Sequence, residues 1–253
     1  GNDQQARAVN NFFRLIEKEL GVEFVYYTEM NSSEKQLLEI RELVENGCDA
    51  LMLTISNQTI LPEIIKLCDD NKVPFSLVGG FITDSEIKKM AESSRYYLGS
   101  TSENDSDMAY SITSSLIEQG AHNIAIIASH SGLPNLDSRY SSINQAINNF
   151  GAKKLAEFRV TAFSPSDAAK AVENFLAVYP ELDGIIAVYA GNGIGDAILE
   201  TLEKNNKAGT VKFAGLELFD GAKEAFREGK IHSLAGGNYV DPLFSFVLIY
   251  NYL

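Results

Sequence analysis

Asp183-Gly184-Ile185-Ile186-Ala187-Val188-Tyr189-Ala190-Gly191-Asn192-Gly193-Ile194-Gly195 reads as a strand, a glycine-rich turn and the start of a helix. The apolar run over 185–190 is continuous and not alternating, as in a strand buried on both faces. The helical pattern over 193–205 then sets Ile194, Ala197, Ile198, Thr201 and Leu202 on one side. The same stretch raises a dinucleotide fingerprint, and its spacing fails. Counted from Gly191, the third required glycine falls on Asp196, a carboxylate where a pyrophosphate would meet the helix N-terminus. No cofactor is expected.

Working outward, the alternation repeats. Apolar runs of strand length occupy 22–28, 50–55, 74–78, 124–128 and 211–216, with amphipathic patterns between them, such as 32–46 with Leu37, Ile40 and Val44 on one side. Strand, helix, strand in this order builds right-handed βαβ units and a parallel sheet. The punctuation agrees. Asn31 or Ser32 followed by Glu34 caps one helix and Ser164-Pro165-Ser166-Asp167 opens another, while Asn46-Gly47, Gln119-Gly120 and Phe150-Gly151 close three.

A strand pattern at Tyr96-Tyr97-Leu98-Gly99-Ser100-Thr101 runs into a small polar stretch, after which a second set of units begins near Glu103. The expected fold is α/β, with two similar doubly wound parallel-sheet lobes joined by a hinge. The N-terminal lobe takes 1–100 plus 236–253 and the C-terminal lobe 101–235. Because the chain opens on a helix over 3–20 and stops inside another over 243–253, the first strand of the N-terminal lobe is expected to be missing.

The 253 residues are 45% hydrophobic with a formal net charge of -13, a composition that suits a globular core and offers no basic face for nucleic acid. No stretch reaches the roughly 20 apolar residues of a membrane span. Cys48 and Cys68 each sit in an apolar pattern and are read as core thiols, with a disulfide as the alternative. His122, His130 and His232 are scattered, none in metal-ligand spacing with another His or Cys, so no metal site is expected. Ser129-His130-Ser131 follows a strand and invites a nucleophile assignment, but no Gly-x-Ser-x-Gly elbow surrounds it. A loop lining a cleft explains it as well.

In an open parallel sheet, ligands sit beyond the carboxyl ends of the strands. The residues just past those ends are Phe81, Arg139, Phe163, Asn192, Glu217 and Asn238. They offer two aromatic faces and four polar groups, the equipment a polyhydroxy ligand requires. Arg139 is the only Lys or Arg between Tyr96 and Ala152 and opens the helix expected over 138–150. A guanidinium there can hold two hydroxyls or a carboxylate, the alternative being a surface salt bridge. Phe163 reads equally as core, and Asn192 equally as a turn residue.

These features resemble type I periplasmic binding proteins, the fold shared by ribose-type sugar-binding proteins and the effector domains of LacI-type repressors, over nearly the whole chain. The carriers are Gly47-Cys48-Asp49-Ala50 before a strand, Arg139-Tyr140-Ser141-Ser142-Ile143 in place of an Arg-x-x-Gly-Phe helix start, and Gly215-Leu216-Glu217 in place of Gly-Phe-Asp. The end, through Gly236-Gly237-Asn238-Tyr239, is similar to a Gly-Gly-His-Phe phrase. The resemblance implies ligand contacts at Arg139, Phe163, Asn192 and Glu217. Asn10-Asn11-Phe12-Phe13 mimics the family's Asn-Pro-Phe-Phe opening, but counting back from Leu20-Gly21 puts that opening at Asp3 and leaves Phe12 and Phe13 as helix core. The first lobe's Asp-Arg grip on sugar hydroxyls falls here on Gly79-Gly80.

The resemblance implies reversible binding of a sugar or sugar-like molecule between lobes that close about hinges near Gly99 to Thr101 and Ala235 to Gly237. The protein would be periplasmic or extracytoplasmic, without membrane insertion. Its partner would be the membrane permease of an ABC transporter or a receptor kinase. A cytoplasmic LacI-type effector domain is the alternative. An enzyme using Glu217 or Asp220 as base is a third reading, and it lacks a paired catalytic constellation.

Overall fold

The computed structural model of the chain describes residues 4–26, 32–55, 57–129, 131–161 and 163–253; the side chains of residues 4–6, 8 and 238 lie outside that description. In chain order the elements are α1 (Gln4–Leu20), α2 (Ser33–Glu45), β1 (Leu51–Leu53), α3 (Leu61–Asn71), β2 (Phe75–Val78), α4 (Ser85–Ser93), β3 (Tyr97–Thr101), α5 (Asp105–Glu118) and β4 (Asn123–Ala128). They continue with α6 (Pro134–Asn149), β5 (Lys153–Arg159), α7 (Pro165–Val178), β6 (Gly184–Ala187), α8 (Ile194–Lys204), β7 (Lys212–Leu216), α9 (Ala222–Arg227), β8 (Ser233–Ala235) and α10 (Asp241–Tyr252). The chain forms two compact units, one of Asn104–Gly237 with Gln4 and Gln5, the other of Ala6–Glu103 with Asn238–Leu253.

The unit holding β1, β2 and β3 carries them as a parallel sheet in that order. Leu51, Leu53, Phe75 and Leu77 are buried, the expected state of strands covered on both faces. On α3, Leu61, Ile64, Ile65 and Cys68 form an i, i+3, i+4, i+7 stripe, all buried. The capping expectation for α2 resolves onto Ser32, whose side chain accepts from the Lys35 N–H at 3.3 Å. The seam of α2 is shifted by one residue: Gln36, Ile40 and Val44 are buried while Leu37 is half-buried. Gln36 tolerates burial because its Nε2 donates to the Thr54 carbonyl at 2.9 Å.

Three expectations for this unit are corrected. Residues 22–26 form no strand; the Phe24 N–H donates to Glu17 Oε1 at 3.1 Å, and its ring packs on Phe13 and Phe246 with centroids 4.5 and 5.6 Å away. That apolar run found a ring cluster and no ladder partner among the described residues. Phe13 is buried, but Phe12 is 43% exposed, so only one of the pair is helix core. Cys68 is fully buried, with its thiol pushed up to about 12 by burial, then by the nearby Cys48 and Asp69. Cys48 is only half-buried, and both cysteines are free thiols.

The Asn104–Gly237 unit carries a five-stranded parallel sheet in the order β5-β4-β6-β7-β8. Its residues divide by parity between two cores. Ala125, Ile127, Ile185, Ala187 and Phe213 pack with Ala168, Val172 and Phe175 of α7 and Ile194, Ile198 and Leu202 of α8. Ile124, Ile126, Ile186, Val188, Ala214 and Leu216 pack with Ile112, Leu116 and Ile117 of α5 and Ile143 and Ile147 of α6. A sheet covered on both faces by helices is the doubly wound arrangement expected from the continuous apolar runs. Two strands carried no such run. β5, with the sequence Lys153-Lys154-Leu155-Ala156-Glu157-Phe158-Arg159, is an edge strand paired only to β4, and β8 is a three-residue edge on β7. One-sided pairing and partial exposure remove the need for uninterrupted hydrophobicity.

The candidate ligand site at the carboxyl ends of the strands

The strand order reverses direction at β4 and β6. β4 leads to α6 on one face of the sheet, and β6, its neighbour on the opposite side from β5, leads to α8 on the other face. Divergence of this kind opens a crevice outside the carboxyl ends of the two strands.

Arg139 reaches this end from α6. The helix begins at Pro134, four residues before the expected start, because Pro134 at the first helical position needs no N–H partner. Arg139 therefore lies in the second turn, not at the opening, and is 2% exposed, so the salt-bridge alternative takes a buried form and not a surface one. Its Nε donates to Asp105 Oδ1, and one Nη donates to Glu217 Oε1 at 2.5 Å. Asp105 is the first residue of α5, behind an Asn104 cap whose side chain accepts from the Asp107 N–H at 3.2 Å. Glu217 follows β7 directly and is fully buried.

Burial pushes the Asp105 carboxyl up, and the Arg139 charge only partly offsets it. Burial alone would lower Arg139, but the Glu217 and Asp105 charges outweigh it and hold the guanidinium above its ordinary value. With all three groups ionised the cluster carries one surplus negative charge.

Backbone conformation marks the same end of the sheet. Phe163, Asn192 and Glu217 adopt φ of 54°, 53° and 78°, in loops that follow β5, β6 and β7. Left-handed conformations are costly for residues with a Cβ, roughly 1–3 kcal/mol each, and Phe and Glu gain no local compensation there. All three lie at the carboxyl end of the same sheet. The Phe163 ring, half-buried, meets Tyr189 with centroids 4.9 Å apart and planes at 59°. Asn192 is exposed and precedes Gly193, which caps α8 at φ 82°.

Glu217 is fixed from behind as well. Its N–H donates to the Ala235 carbonyl at 2.8 Å, and a Cβ on Gly236 would stand 2.8 Å from Glu217 Cα and 3.2 Å from its N. Only glycine fits against that backbone. Gly236→Ala is expected to lower the unfolding free energy of this unit by about 1–3 kcal/mol in denaturant titrations, because neighbouring backbone has to shift.

Of the other residues expected at strand ends, Phe81 lies in the other unit, 44% exposed, its carbonyl accepting from Gln58 Nε2 at 3.0 Å. Asn238 opens a single 3-10 turn, Asn238–Val240, and its side chain lies outside the described residues, as does Asp3 entirely. Sequence reasoning missed Asp105 and Tyr189. Asp105 read as one more acid in a helix first turn, and Tyr189 as part of an apolar strand. Among the described residues no group of His, Cys, Asp and Glu is arranged to hold a metal ion. His232 is half-buried, its Nδ1 accepting from the Phe213 N–H at 3.3 Å, and burial lowers its pKa.

The fold is shared with solved structures of low identity. An ABC transporter periplasmic solute binding protein from Actinobacillus succinogenes 130z, with bound D-allose, superposes with a TM-score of 0.84 at 15% identity, covering 100% of this chain and 88% of that one. A Mycobacterium smegmatis protein in complex with β-D-fucofuranose gives 0.77 at 17% identity, covering 98% and 82%. The periplasmic component of the arabinose ABC transporter from Shewanella sp. ANA-3, bound to L-arabinofuranose, gives 0.78 at 16%, covering 100% and 83%. No curated protein matches the sequence. The family model described as periplasmic binding protein domain matches residues 1–241, and the chain belongs to that family.

Proposed function

We propose that this chain binds a small, neutral, hydroxyl-rich molecule of the sugar type reversibly and without turnover, as an extracytoplasmic solute-binding protein serving an ABC-transporter permease. The observation that carries the reading is the buried Asp105–Arg139–Glu217 cluster at the divergence of β4 and β6. A guanidinium locked between carboxylates is a rigid array of donors and acceptors, which suits hydroxyls that both give and accept hydrogen bonds.

Its charge selects against acids. Two Arg139 nitrogens are already engaged by protein carboxylates. A ligand anion about 4 Å from the surplus negative charge would be opposed by roughly 4 kcal/mol at an effective dielectric of about 20. The similar structures bound to D-allose, β-D-fucofuranose and L-arabinofuranose support a neutral sugar, and the ABC-transporter roles of the first and third favour a permease over a receptor kinase or a repressor's effector function. No helix among the described residues is long and apolar enough to cross a membrane. In this reading the lobes close about the segments near Gly99 to Thr101 and Ala235 to Gly237, and ligand stabilises the closed state.

Thermal denaturation across neutral aldopentoses, aldohexoses and nucleosides tests the proposal. A bound sugar at about 100 times Kd adds about 2.7 kcal/mol, a rise in Tm of about 5–11 °C for a unit of this size. No shift with any member of the panel would sink the reading.

A further inference from the structure

Ser129 is the first residue beyond β4, at the point where the connections of the sheet diverge. It is 3% exposed. Its carbonyl accepts from Arg159 Nη1 at 3.0 Å, but its Oγ has no hydrogen-bond partner among the described residues. Buried hydroxyls in folded proteins nearly always have a partner, and one without a partner destabilises the fold that holds it.

The register says what surrounds it. Ile127 pairs with Ala187, and Ala187 with Gly215. Ser129, Tyr189 and Glu217 follow within two residues of the ends of these three neighbouring strands. The Val188 N–H donates to Ile127 O at 2.9 Å in this register, whereas the Ala190 N–H donates to Leu216 O at 2.6 Å, one residue out of it, so the β6–β7 pairing slips past Val188. Phe163 and Tyr189 come from the loops after β5 and β6, the two strands that flank β4, and their rings meet at 4.9 Å. The end of β4 is thus flanked by an aromatic pair.

We infer that Ser129 is a specificity-determining ligand contact: its Oγ hydrogen-bonds one hydroxyl of the neutral molecule held beside the Phe163–Tyr189 pair. The inference rests on the solute-binding reading above. It explains why a hydroxyl is kept at a buried position that alanine would fill at no loss of a protein hydrogen bond.

The test compares wild type, Ser129→Ala and Ser129→Cys, first without sugar and then by calorimetric titration with D-allose, D-fucose, L-arabinose and D-ribose. Without sugar, Ser129→Ala is expected to melt about 2–4 °C above wild type, since it removes an unsatisfied buried group. For whichever sugar wild type binds, Ser129→Ala is expected to weaken Kd about ten-fold, equivalent to about 1.4 kcal/mol, with the near-isosteric Ser129→Cys in between. One monodeoxy analogue of that sugar should lose a similar factor against wild type and little further against Ser129→Ala. Unchanged affinity in Ser129→Ala, or a melting temperature below wild type showing that the hydroxyl is structural, overturns the inference. If wild type binds none of the four, the wider panel above decides: a ligand found there takes their place in the titration, and none found refutes the solute-binding reading and this inference with it.

Discussion

Arg139→Ala is expected to lower the unfolding free energy of the Asn104–Gly237 unit by about 3–5 kcal/mol and to abolish sugar binding, because it leaves two buried carboxylates without their cation. Asp105 and Glu217 are 7% and 0% exposed, so bulk water does little to solvate either charge. The loss carries a pH signature. Burial already raises Asp105, and Arg139 is the group that pulls it back down; without Arg139 it rises further. A carboxyl whose folded pKa lies above its unfolded value stabilises the fold below the unfolded value and loses that contribution as pH rises through the folded one. The deficit should therefore be largest near neutral pH and shrink toward about pH 4. Denaturant titrations of both proteins at several pH values measure it, and a deficit below about 1 kcal/mol at neutral pH would mean the cluster is not the buried network described.

Glu217→Gln separates function from stability. It replaces a charged acceptor with a neutral one of the same shape and leaves the Arg139–Asp105 pair in place. Hydrogen bonds to charged groups contribute about 1.5–3 kcal/mol, and sugar affinity should fall about 10- to 150-fold. The melting temperature of the unliganded protein should stay level or rise. Calorimetry paired with thermal denaturation reads both. A variant that loses stability and affinity together would make Glu217 a structural residue and not a ligand contact.

The sequence disclosed most of what depends on continuous burial. The runs at 124–128, 185–190 and 211–216 became β4, β6 and β7 because strands covered on both faces must be apolar throughout. β5 and β8 were hidden, since edge strands can be polar, and residues 22–26 failed as a strand because pairing depends on a partner remote in sequence. At the candidate site, Arg139 stood out as a lone cation, yet its ties to residues 34 and 78 positions away could not be read from spacing. The left-handed turn at Asn192 is visible in its glycine neighbours. Those at Phe163 and Glu217 are not, because nothing in the local chemistry of Phe or Glu favours that conformation.

The central claim is a neutral-sugar site whose buried charge rejects acids. Calorimetric titration of the wild-type protein with a matched set of D-ribose, D-allose and D-ribose 5-phosphate tests it most directly. Saturable one-to-one binding of a neutral sugar is expected, with no measurable heat of binding for the phosphate ester. Binding of D-ribose 5-phosphate as tight as that of either neutral sugar would contradict it.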